Sequence, residues 1–136
     1  MTQEEKELLL QDLCARLQNK VMIYLYTSSE ITGSTIVLNS SIYGFIEDVL
    51  NNSPYEIKEI KPYLRPMSSM TDEEKVEIQD LYHQNTQEVF KDPSEIRGYR
   101  FYDISVVDWL NAHHFDYRGL IEKGLALEAP EDMYKN

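Results

Sequence analysis

The stretch that decides the fold runs from Val21 to Leu50, VMIYLYTSSEITGSTIVLNSSIYGFIEDVL. Its first part, VMIYLYTSS, is dense in β-branched and aromatic residues, the types that pack well on a pleated surface. Gly33 then interrupts, and STIVLNSS repeats the pattern, so residues 20–41 read as strand, turn and strand. IYGFIEDVL admits two readings. Its bulky residues suit a third strand with Gly44 at a bend, while Ile42, Phe45, Ile46 and Val49 would also line one face of a helix; the strand is preferred. Asn51 to Pro54, NNSP, is turn chemistry, and YEIKEI alternates apolar and charged residues as a half-exposed strand does. Three or four short strands are therefore expected over about residues 20–61.

Helices are expected on either side. Thr2 and Glu5 have capping-box spacing and open a helix from about Gln3 to Leu17, with Leu9, Leu10, Leu13, Cys14 and Leu17 as its apolar stripe. That stripe places Cys14 at or beside the core. KPYLRPMSSMT breaks regular structure, because Pro62 and Pro66 lack backbone donors and push the residues before them toward extended conformations. Thr71 and Glu74 repeat the capping-box spacing and predict a helix over about Asp72 to Gln84. A polar loop is expected over 85–102, with a short strand at YRFYDI, and then a third helix through VVDWLNAHH, capped by Asp103 or Ser105. Gly124 marks a turn and Pro130 a stop. The expected architecture is α+β, a single domain over 1–136: a small, mostly antiparallel sheet packed with an N-terminal helix and two later helices.

With 136 residues, the chain is long enough for one hydrophobic core. At 42% hydrophobic and 27% charged residues, it has the composition of a globular protein. The formal net charge is -11, with 24 acids against 13 bases, and residues 71–136 hold 15 of those acids against 7 bases. Phosphate neutralisation needs clustered lysine and arginine, so nucleic acid is a poor partner, whereas a basic protein would be steered toward the second half. One cysteine allows no intramolecular disulfide and no thiol-rich metal site. MTQEEKELLL lacks the positive charge of a signal peptide and no apolar run approaches a membrane span, so a cytoplasmic protein without a membrane partner is expected.

WLNAHHFDYRGL, from Trp109 to Leu120, concentrates the residue types that do chemistry. His113, His114 and Asp116 could form a two-histidine, one-carboxylate metal site for a hydrolase. Against this, histidines that share a helix face are spaced i, i+4, and adjacent ones point about 100° apart. The plainer alternative is a helix C-terminus where the histidines meet the negative dipole end, one packs on Trp109, and Asp116 and Arg118 form a local ion pair. Cys14 with a histidine is the other nucleophilic pairing on offer, but a thiol on an apolar stripe among glutamates lacks the electropositive setting that activates it. No phosphate-binding glycine loop, dinucleotide fingerprint, GxSxG or HExxH occurs, and no cofactor is implied. Lys58, Lys61, Tyr55, Tyr63 and Arg65 form a basic and aromatic mixture that either stacks on a partner or pairs with the protein's own acidic helices; the internal role is favoured. Trp109 is a further partner-binding candidate.

Three blocks, MTQEEKELLLQDLCARL (Met1 to Leu17), IKPYLRPMSSMT (Ile60 to Thr71) and DWLNAHHFDYRGLIEKGLALEAPEDMY (Asp108 to Tyr134), resemble a family of small uncharacterised proteins from gut Bacteroidales genomes and their phages or prophages. The resemblance implies an accessory gene of a mobile element and a cytoplasmic protein; by analogy alone, a small acidic protein of this kind is expected to bind a host or phage protein, in place of nucleic acid. It brings no catalytic or ligand residue.

Overall fold

In the computed structural model, residues 1–86 and 104–135 are described. Helix α1 spans Gln3–Ala15 and opens on the expected capping box: Thr2 Oγ1 accepts from the Glu5 N–H and the Thr2 N–H donates to the Glu5 carboxylate. Strand β1 (Met22–Thr27) and strand β2 (Ser34–Val37) form an antiparallel pair with Tyr24 opposite Thr35. Gly33 lies under the ring of Tyr24, where a Cβ would come within 2.3 Å of Cζ.

The strand expected over IYGFIEDVL is instead helix α2, Ser40–Asn52. Asn39 decides it, because its side-chain oxygen accepts from the Ile42 N–H at 2.9 Å and starts the helix directly after β2. Ile46, Val49 and Leu50 then fall on one buried face. Gly44 is an interior helix position with nothing within 4 Å of a Cβ, so it marks no bend.

Strand β3, Ile57–Leu64, is longer than YEIKEI and extends through Pro62 into the stretch expected to be irregular. Strand β4 (Leu127–Glu128) pairs in parallel only with Tyr63 and Leu64. Pro62 therefore has edge character on that side, where a missing N–H is tolerated. The sheet order is β2-β1-β3-β4, and the fold is a small α+β one with a mostly antiparallel sheet.

One face of the sheet, through Ile23, Leu25, Ile60 and Leu64, packs with Leu9 and Leu13 of α1 and Ile46 and Leu50 of α2. Helix α3 (Asp72–Thr86) and helix α4 (Ile104–Ala112) build a second cluster from Ile78, Val106, Trp109 and Leu110 with Phe115 and Tyr117. Thr71 and Glu74 cap α3 reciprocally, as their spacing predicts. Ser105 lies inside the first turn of α4 rather than at its cap. Asp103, the strand at YRFYDI and nearly all of the loop over 85–102 lie outside the described residues. No helix among the described residues is long and apolar enough to cross a membrane.

The stripe of α1 departs from its apolar reading. Cys14 is exposed, while Asp12 and Arg16 are both fully buried. The helix turns its charged i, i+4 pair inward because a cationic and aromatic partner set from the second half of the chain meets it there, as the site geometry shows.

Candidate functional site

Helix α4 ends in a motif that places both histidines. The His114 N–H donates to the Asn111 carbonyl at 3.1 Å and the Phe115 N–H to the Leu110 carbonyl at 3.0 Å. These are the two bonds of a Schellman cap, with the residue between them in the left-handed region. Glycine normally occupies that position; here it is His114, at φ 63°. A side chain there costs about 1–2 kcal/mol. Phe115 then turns inward against Leu110, which is the apolar contact the motif usually carries.

The two rings separate. His113 stacks on Trp109 with centroids 3.9 Å apart, and its Nδ1 lies 2.8 Å from the Trp109 carbonyl oxygen. Because a carbonyl only accepts, Nδ1 carries the proton and Nε2 is left open. His114 stacks on Tyr134 at 3.6 Å, and among the described residues its buried Nδ1 has no hydrogen-bond partner. Burial first, and then the charges of Arg16, Arg65 and His113, push His114 down to about 4. Tyr134 is itself fixed, donating to the Tyr63 carbonyl at 2.7 Å and accepting from the Met22 N–H at 2.9 Å. Burial raises its hydroxyl to about 12.

Asp116 does not join the histidines. Its two oxygens accept from the Leu120 and Ile121 N–H groups at 2.8 and 2.9 Å, tying down the turn that follows. Burial pushes its carboxyl up despite those two bonds. No group of three or more potential metal ligands occurs among the described residues. Nor does Asp116 pair with Arg118: the arginine reaches back to Asp12 at 2.8 Å. Asp12 also binds Arg16 Nε at 2.9 Å, and Arg16 Nη2 donates to the Phe115 carbonyl at 2.7 Å. Both guanidiniums lie against the ring of Tyr117, whose hydroxyl donates to Asn111 Oδ1. This Asp12–Arg16–Arg118 triad was not legible in the sequence. Its only signal is the i, i+4 spacing of Asp12 and Arg16, which is commonplace on exposed helix faces.

Of the partner-binding candidates, Arg65 makes a two-pronged ion pair with Glu74 at 2.8 and 2.7 Å and lies over the Phe115 ring at 4.1 Å. Burial opposes ionisation of Glu74, but Arg65 and the cap at Thr71 outweigh it and hold the carboxyl below its ordinary range. The internal role expected of this cation is thus the observed geometry. Lys61 pairs with Glu59 at 3.5 Å, Lys58 lies over the Tyr26 ring, and Tyr63 stands on the sheet face turned away from α1 and α2. Tyr55 is 93% exposed, whereas Trp109 is only 8% exposed and belongs to the core rather than to a contact surface.

Between the end of α4, the first residues of β1 and the C-terminal segment lies a cleft of about 540 Å³. His113, His114 and Tyr134 line it. Met22 and Val37 come from the sheet and Met133 from the C-terminal segment, while Lys20, Arg65 and Lys135 supply positive charge. Compared with models of protein families, with curated proteins and with solved structures, the chain has no match.

Proposed function

We propose that the protein acts by binding a basic partner protein through the exposed face of α3, and that it performs no catalysis. The observation that carries this reading is a stripe on that helix. Glu73, Val76, Glu77 and Asp80, at i, i+3, i+4 and i+7, are all exposed, with Asp72 beside them. Val76 is 59% exposed at the centre of four acids. A single apolar residue ringed by like charges suits a partner that brings lysine or arginine around a small apolar contact.

The opposite face of the helix supports a rigid display: Ile78 is buried, and the Thr71 cap and the Arg65–Glu74 pair fix its first turn. A preformed surface binds without the entropic cost of ordering. The net charge of -11 favours a basic partner by long-range attraction. A binding role is further supported by how the chemically capable groups are engaged, since both oxygens of Asp116 and of Asp12 serve structural bonds. The resemblance to proteins of Bacteroidales genomes and their phages fits an accessory role toward a host or phage protein.

Capture from a host lysate tests this, comparing the native protein with Glu73→Lys/Glu77→Lys/Asp80→Lys. The expected result is a protein enriched by the native chain, released by salt, and absent with the variant, whose thermal unfolding stays unchanged. Identical captures by both proteins would overturn the proposal.

A further inference from the structure

The cleft beside α4 has the opposite character to the rest of the molecule. Among the described residues, none that lines it carries a carboxylate, although the chain has 24 acids. It holds Lys20, Arg65 and Lys135 instead, together with His113. Arg65 is held in place by Glu74, while among the described residues the side chain of Lys135 makes only long contacts of 3.7 and 3.8 Å with exposed Glu131 and Asp132. Such exposed pairs are weak and yield readily to a better-placed anion. Lys20 makes no ion pair among the described residues.

The backbone points to the same place. Only two described residues other than glycine have positive φ, Lys20 at 54° and His114 at 63°, and both line this cleft. Side chains held in the left-handed region cost stability and cluster where a site requires them. Lys20 in that conformation ends the short 3₁₀ turn Leu17–Asn19 and lines the cleft. The volume of about 540 Å³ falls in the range of small-molecule sites. Met22, Val37 and Met133 add apolar surface to its lining.

We propose that this cleft binds a small phosphate monoester with an apolar or aromatic body. The phosphate sits among Lys20, Arg65 and Lys135, and the body lies against Met22, Val37 and Met133. A dianionic head matches this lining better than a single negative charge does, because Lys20 and Lys135 each add a charge-assisted hydrogen bond while Arg65, paired with Glu74, stands beside them. The site is separate from the acidic face of α3, so either can fail without the other.

Calorimetric titration with phenyl phosphate tests it, with inorganic phosphate, benzoate and phenol as comparison ligands. The expected order is phenyl phosphate tightest, inorganic phosphate weaker for want of the body, benzoate weaker for want of charge, and phenol without saturable binding. Lys20→Gln should weaken phenyl phosphate about tenfold or more. Val37→Glu, which puts a carboxylate at the cleft from an exposed strand position, should abolish binding while the melting temperature is preserved. Absence of saturable phenyl phosphate binding, equal binding of phenol, or affinity unchanged in both folded variants would each overturn the assignment.

Discussion

Arg16, on the chain just after α1, donates to the main-chain carbonyl of Phe115 at 2.7 Å across 99 positions of sequence, with both groups buried. That bond, with Asp12 between Arg16 and Arg118, ties the first helix to the turn after α4. Removing the carboxylate leaves two buried cations facing each other. Asp12→Ala should therefore cost about 3–5 kcal/mol, far more than an ordinary surface ion pair. Urea unfolding reads the loss directly, and a cost below about 1 kcal/mol would contradict the buried triad.

Gly44 separates the two readings of IYGFIEDVL by experiment. In the interior of α2 with open space around its Cα, Gly44→Ala should raise stability by about 0.5–1 kcal/mol, because alanine gives up less backbone freedom on entering a helix. Asn39→Ala should act the other way, losing about 1 kcal/mol with the cap. Denaturation midpoints of the two variants should move in opposite directions.

The Schellman position of His114 gives a third expectation. Glycine relieves the left-handed backbone but gives up the stack on Tyr134, so His114→Gly should change stability by less than about 1 kcal/mol. A β-branched residue gains nothing there, and His114→Val should cost more than about 2 kcal/mol. Thermal melts of the pair separate backbone from ring.

The same residue sets a pH dependence. His114 titrates near 4 in the folded protein and near 6.5 when unfolded. Below 6.5 the unfolded chain binds the extra proton and the folded one does not. The resulting stability is complete above about pH 6.5 and is lost as pH falls toward 4. In His114→Asn this component is absent, so the fall in urea midpoint between pH 7.5 and 4.5 should be smaller than in the native protein. Equal falls would place the acid sensitivity elsewhere.

How far the sequence foretold all this depended on the range of the forces involved. Both capping boxes, at Thr2 and Thr71, were legible because their bonds span three residues. The first two strands were legible because alternation and β-branching are local. Helix α2 was misread because Ile42, Phe45, Ile46 and Val49 satisfy both periods, and the deciding bond from Asn39 sits just outside the apolar run. Burial of Asp12 and exposure of Cys14 could not be foreseen, since the cations and the carbonyl that welcome Asp12 and Arg16 lie about a hundred residues away. The cleft is long-range in the same sense, drawing Lys20, Arg65, His114 and Lys135 from four separate stretches. The rings of the histidine pair stack on Trp109 and Tyr134 rather than meeting Asp116, because the left-handed cap at His114 turns the two apart.

Zero-length carbodiimide crosslinking in host lysate, followed by mass spectrometric mapping of the linked carboxylates, tests the central claim most directly. An acidic face on α3 that docks a basic protein predicts links from Glu73, Glu77 and Asp80 to lysines of one partner, and few from the equally exposed Glu4 and Glu7 of α1. Links spread evenly over the acidic surface, or confined to α1, would contradict it.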